Sequence, residues 1–257
     1  MPCACSWLWF ARTPTMDAAA ASSFATVKAV ILGNGSAGKS SVCERLRQDG
    51  FSRVYKQTIG IDWHEKLLHI RDKLVTLQLH DIGGQSLASP MLSQYIAGAG
   101  IILLLYDITD EASFSDAKDW LAAAQRVLSD LAASRGSEAA VAPHIYLVGN
   151  KVDLPHLRKV SADDHAAFIA VNKLQGGFFV SARTGEGVFT AFFTAAAARC
   201  GMTLSDTEIE FTRKVLTAPV DATEDAARLP GADDIEREDM AAESRKAGAA
   251  SGCCVVQ

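Results

Sequence analysis

No stretch of this 257-residue chain is apolar for long enough to cross a bilayer. The longest apolar run, I-I-L-L-L-Y at 101–106, falls far short of the roughly 18 residues a spanning helix needs. Positive charge is also scarce. The 25 Lys and Arg residues are outnumbered by 30 Asp and Glu, the net charge is −5 and there is no basic tract, so nucleic acid is not an expected partner. Six cysteines at 3, 5, 43, 200, 253 and 254 lack the C-x-x-C spacing of a zinc site. The short apolar patch at 7–10 has neither a basic segment before it nor a convincing signal-peptide core around it, so a reducing, cytoplasmic compartment is the expectation. Internal repeats are absent. At 49% apolar composition the chain can nevertheless bury one sizeable core.

Two widely separated motifs carry most of the chemistry. Residues 33–40 read G-N-G-S-A-G-K-S. Gly33, Gly35 and Gly38 let the backbone turn tightly, so that successive N–H groups, from Ser36 and Ala37 through to Ser41, face phosphate oxygens. Lys39 adds a point charge, and the Ser40 hydroxyl is placed to ligate Mg²⁺. Residues 150–153 read N-K-V-D. The carboxylate of Asp153 can accept hydrogen bonds from both N1–H and the exocyclic amine of guanine, whereas adenine presents an acceptor there and is repelled. Asn150 can tie this segment to the phosphate loop, and the Lys151 stem can lie along the base; a plain turn after a strand is the duller reading.

Periodicity places these motifs. Residues 26–32 form a β-branched apolar run ending at the glycines, and 41–48 have helical spacing, so the loop joins a strand to a helix. Segments 61–68 and 74–80 flank a polar turn at 71–73 and should pair as an antiparallel hairpin. Residues 101–107 and 145–149 read as buried parallel strands, and 177–180 as another. Helices are predicted over 113–133, 161–174 and 188–199, with Ser161 and Asp164 as a cap pair. The alternation implies a doubly wound α/β sheet with its ligand at the carboxyl ends of the strands. Both motifs fall there, as do D-I-G-G-Q at 81–85 and S-A-R at 181–183.

In this order the segments resemble a Ras-superfamily small GTPase over residues 26–200. The likeness is nearest to the Rab branch, on I-G-I-D-W at 59–63, Q-Y-I-A-G-A at 94–99 and Y-D-I-T at 106–109. D-I-G-G-Q replaces the usual D-T-A-G-Q, residues 87–92 lack a typical Rab segment, and His80 stands where Rabs usually have Trp. These departures resemble the divergent Rab twenty-eight subgroup.

The resemblance implies a P-loop GTPase fold: a mostly parallel six-stranded sheet with one antiparallel edge hairpin and helices on both faces. It implies GTP or GDP as ligand, with Mg²⁺ held by Ser40 and Thr58 and, through water, by Asp81. Thr58 also offers its backbone N–H to the γ-phosphate; the alternative is that it only begins a strand. Gln85 would orient the attacking water, with Lys39 and Thr58 as the other catalytic residues, while Gly84 senses the γ-phosphate. Phe51 would pack edge-on to guanine and Tyr55 close over the phosphates. The Ala182 N–H, between Ser181 and Arg183, would reach the guanine carbonyl oxygen; Arg183 replaces the family's usual Lys. No residue reads as an arginine finger, so slow hydrolysis is expected, with an activating protein, an exchange factor and effectors as partners. Trp63, Tyr95 and His80 read as an exposed aromatic patch for effectors, or as core. His64 and His69, five apart on a strand, face opposite ways and make no metal pair. Cys43 reads as a packed residue.

The ends differ in kind. Residues 1–25 read as a flexible extension, with Met16 as an alternative start, and 26–201 as the GTPase domain. Residues 202–257, rich in Ala, Asp and Glu, read as a disordered acidic tail, with a short helix near 206–216 as an option. The last residues, C-C-V-V-Q, form a C-a-a-X box, predicting farnesyl on Cys254 or geranylgeranyl on both Cys253 and Cys254. A prenyltransferase and a prenyl-binding carrier would then be partners. One lipid anchors weakly and an acidic tail is repelled by anionic lipid, so a monomer held reversibly on the cytosolic face of endomembranes, acting in vesicle or endosomal trafficking, is expected. Two other readings stay open. One is a nucleotide-binding module that does not cycle, favoured if Gly83 in place of the family's Ala misplaces Gln85. The other is a P-loop kinase of small metabolites, which leaves N-K-V-D unexplained.

Overall fold

The computed structural model describes residues 25–48, 50–51, 56–135 and 141–215. Six strands form one sheet: β1 (Ala25–Leu32), β2 (Ile61–Ile70), β3 (Lys73–Ile82), β4 (Ile101–Asp107), β5 (His144–Asn150) and β6 (Gly176–Phe179), in the order β2-β3-β1-β4-β5-β6. Every neighbouring pair is parallel except β2 with β3, the expected hairpin, in which Trp63 lies opposite His80. Its turn uses Arg71 at φ 53°, a left-handed conformation uncommon outside glycine.

Strand alternation divides the apolar residues between two faces. On β1, Ala29 and Ile31 join one cluster with Val42, Cys43 and Leu46 of α1 (Lys39–Gln48) and Phe192 of α5 (Val188–Arg199). Val30 and Leu32 join the other, with Trp120 and Leu121 of α3 (Glu111–Arg135) and Phe168 of α4 (Ala162–Asn172). β4, central and covered on both sides, is buried at every position, and each of its Ile and Leu side chains contributes roughly 1.5–3 kcal/mol by leaving water. Ser161 caps α4 as expected: its Oγ accepts from the Asp164 N–H at 3.0 Å and donates to Asp164 Oδ2 at 2.6 Å. A short helix α2 (Leu92–Ile96) and 3₁₀ turns at Ser86–Ala88 and Pro155–Leu157 lie where no element is predicted; such elements are too short to display a period.

The optional helix near 206–216 is present as α6 (Asp206–Val215). Residues 202–215 therefore continue the packed structure, with Thr212 hydrogen-bonded to Thr190 of α5 at 3.0 Å and Glu208 ion-paired with Arg71 at 2.8 Å. Residues 1–24 and 216–257, with Cys253 and Cys254, lie outside the described residues. Among the described residues no helix is long and apolar enough to cross a membrane. The fold brings the ends of β1, β3, β4, β5 and β6 to one edge of the sheet, with β1 at the point where the strand order reverses.

Candidate functional site

A cleft of about 960 Å³ opens at that edge, lined among others by Gly35, Ser40, Thr58, Gln85, Asp153 and Ala182. Its floor is the loop between β1 and α1. Gly38, at φ 93°, lies so close to the Asn150 amide that a β-carbon would collide with it, and one at Gly84 would strike the Gly35 N–H. Only glycine gives both the backbone angle and the clearance at position 38. Lys39 is 6% exposed, and its ammonium donates to the carbonyls of Gly33 at 2.8 Å and Asn34 at 2.7 Å. Burial lowers its pKa to about 8 against the opposing pull of Asp81.

Beside Lys39, three oxygen-bearing side chains from three segments converge. Ser40 Oγ donates to Asp81 Oδ2 at 2.5 Å and lies 2.9 Å from Thr58 Oγ1, which itself donates to Asp81 Oδ2 at 3.3 Å. Asp81 is 1% exposed and its other oxygen, Oδ1, has no hydrogen-bond partner. Burial raises its pKa, opposed by the Ser40 hydrogen bond and by Lys39. A buried carboxylate oxygen without a donor, beside two hydroxyls, fits a hard divalent cation. Among the described residues no three His, Cys, Asp or Glu side chains gather on a metal position.

The opposite end is organised by Asn150, 1% exposed at the end of β5. Its Nδ2 donates to the Ala37 carbonyl at 2.9 Å, and its Oδ1 accepts from the Ala182 N–H at 3.1 Å. Asp153 Oδ1 accepts from Ser181 Oγ at 2.6 Å, and its Oδ2 lies 3.6 Å from the Arg183 guanidinium. Phe51, 38% exposed, borders the cleft.

The Ras family profile matches residues 28–200. Among curated proteins, the Ras-related protein Rab-28 of Caenorhabditis elegans is 37% identical over 185 residues, covering 72% of this chain and 71% of the relative. The chain belongs to the Ras family. It is a Rab-like small GTPase that binds guanine nucleotides and resembles Rab-28.

In this GTPase several of the expected site residues have partners within the protein. The Ala182 N–H, expected to face a guanine carbonyl, donates to Asn150 Oδ1. Lys151 lines the cleft from a backbone at φ 70°, and its ammonium pairs with Asp107 Oδ2 at 2.6 Å, a carboxylate at the end of the adjacent strand. Tyr55 lies outside the described residues. Gln85 is exposed at the cleft rim, at the start of the 3₁₀ turn. Gly83 gains a local reason: a β-carbon there would meet the Thr58 carbonyl, and its N–H donates to the Gly60 carbonyl at 2.9 Å. Cys43 is buried, which raises its thiol pKa. Trp63 is 63% exposed on the β2–β3 face.

Sequence reading missed three participants. Asp107 holds Lys151, and Arg45 of α1 grips the S-A-R segment through the carbonyls of Ala182 at 2.9 Å and Arg183 at 2.6 Å. Asn34 sits inside the phosphate-loop motif at a position the motif leaves open. Asp107 carried one faint signal, a carboxylate ending an apolar strand. Arg45 carried none.

Proposed function

We propose that this GTPase is a Rab-type conformational switch that hydrolyses GTP slowly and acts in intracellular vesicle or endosomal trafficking. The observation that carries this reading is the convergence of Thr58, Asp81 and Gly84 on the phosphate loop, since segments meeting at the γ-phosphate position can be held or released by that group. Ser40 and Thr58 directly, and Asp81 through water, would hold Mg²⁺. The cation, when bound, neutralises charge developing on the β- and γ-phosphates. Lys39 and the loop N–H groups stabilise the same charge, and Gln85 orients the water that attacks the γ-phosphorus as its bond to the β–γ bridging oxygen breaks, giving GDP and inorganic phosphate. Asp153 pairs with the base edge, Phe51 packs against the ring and Asn150 joins the two halves of the cleft. Turnover stays slow until an activating protein supplies a further cation. Effectors read the face carrying Trp63, His80 and Tyr95, and an exchange factor reopens the cleft.

Single-turnover GTP hydrolysis tests the cycle. Gln85→Leu should leave GTP binding near wild type and slow hydrolysis, and equal rates in the two proteins would remove Gln85 from catalysis. The exposed position of Gln85 at the cleft rim favours a second reading, a binding module that does not cycle, and absence of measurable wild-type turnover would support it.

Membrane attachment belongs to the same proposal and rests on the C-C-V-V-Q segment. A prenyltransferase would modify Cys254, with Cys253 as second acceptor, and a prenyl-binding carrier would return the monomer to the cytoplasm. Intact mass of protein from eukaryotic cells distinguishes one farnesyl from two geranylgeranyl groups. No added mass, with Cys254→Ser partitioning like wild type, would overturn attachment.

A further inference from the structure

Asn34 lies between Gly33 and Gly35, two residues whose backbones provide little restraint of their own. Its carbonyl is nonetheless one of the two acceptors that locate the Lys39 ammonium. What holds Asn34 comes from α3. The Asn34 amide nitrogen donates to Asp116 Oδ2 at 2.5 Å, and its amide oxygen accepts from the Trp120 indole N–H at 3.0 Å. Asp116 and Trp120 are one helical turn apart, so both reach the loop from one face of α3. The match is chemically complete. The carboxamide donates to the carboxylate and accepts from the indole at once, and Trp120, 1% exposed, has no second donor with which to bond elsewhere. Trp120 also belongs to the apolar cluster that contains Leu92 and Ile96 of α2, the helix that follows Gln85.

We propose that Asn34, clamped by Asp116 and Trp120, is a positioning residue that sets how long the phosphate loop retains its nucleotide, and that α3 is thereby a control point for exchange. The clamp acts through Lys39: it fixes the backbone carbonyl that aims the ammonium, from residues that do not line the cleft. A partner that shifts α3 against α2 would loosen the loop without entering the cleft. The inference rests on the guanine-nucleotide reading of the cleft.

The test is the release rate of a fluorescent N-methylanthraniloyl GDP from the full chain, with thermal melting of each GDP-saturated variant as a folding control. Asp116→Ala and Trp120→Phe should each speed release by about three- to tenfold, the effect of losing one ordinary hydrogen bond. Asn34→Asp sets two carboxylates against each other and should release faster still. Combining it with Asp116→Asn restores a donor facing an acceptor, and the double variant should return to within about threefold of wild type, the coupling expected of residues in direct contact. A structural role alone would shift melting without this rescue of release. Asp116 is only half-buried, so its variants leave the core intact and decide the matter whatever the aromatic substitution does to folding. Wild-type release in Asp116→Ala, or a double variant as fast as Asn34→Asp, overturns the proposal. Failure of the wild-type chain to bind the labelled GDP would instead overturn the nucleotide reading beneath it.

Discussion

Replacing Asn150 with Ala removes one side chain that serves two ends of the cleft. In the wild type its amide satisfies the Ala37 carbonyl at 2.9 Å and the Ala182 N–H at 3.1 Å, from a site 1% exposed. Truncation leaves both groups without a partner where water has little access. Each buried group so orphaned costs about 1–3 kcal/mol. Allowing for partial relaxation, the pair costs about 2–5 kcal/mol, which corresponds to GDP affinity lower by about 30-fold to several thousand-fold. The loss falls on binding because the two groups belong to the phosphate loop and to the segment proposed to meet the base, which the Asn150 bridge keeps in register. Asn150→Asp separates the two bonds: a carboxylate still accepts from Ala182 but repels the Ala37 carbonyl. It should therefore weaken binding as well, despite its nearly identical shape. Equilibrium titration with labelled GDP, alongside melting curves with and without nucleotide, measures both effects. An Asn150→Ala protein that stays folded and binds GDP within about threefold of wild type would refute the bridge as a determinant of affinity.

Two further outcomes follow from neighbouring geometry. Asp153→Asn should shift preference from guanine toward xanthine nucleotides at a cost to GDP binding of about 2–4 kcal/mol, since an amide pairs with a carbonyl in place of the exocyclic amine; competition among GDP, XDP and ADP checks it, and unchanged GDP affinity would take Asp153 out of the base site. His165, hydrogen-bonded to the Tyr106 hydroxyl at 2.9 Å, has its pKa lowered from 6.5 to about 4, first by burial and then by Arg158. The unfolded chain therefore takes up this proton more readily than the folded one. The stability it confers is complete above pH 6.5 and is lost as pH falls toward 4, by about 3 kcal/mol in all. Denaturant unfolding between pH 7 and 4 should show a shallower loss in His165→Gln, and an unchanged slope would exclude His165 as a source.

Much of this architecture was legible in the chain because its signals are local. Continuous apolar runs at β4 and β5 state that both faces of those strands are covered, the two motifs mark the turns that follow β1 and β5, and the Ser161–Asp164 pair marks the start of α4. The Ras-family assignment and the mostly parallel sheet with its single antiparallel hairpin follow from such segments and their order. Other features required the folded chain. Asn34 meets Trp120 across 86 residues, and Arg45 meets Ala182 across 137. No pattern at either position announces its partner, because a side chain's hydrogen bond is chosen by whatever the packing of strands and helices brings within 3 Å or so. The same holds for Lys151, whose ammonium finds Asp107 at the end of β4. It holds for Gly83, whose missing β-carbon makes sense only once Thr58 is seen pressed against it. Local periodicity and turn chemistry specify elements and their order, whereas the contacts that tune a site are set by tertiary proximity, where one burial constraint selects among many partners of equal intrinsic strength.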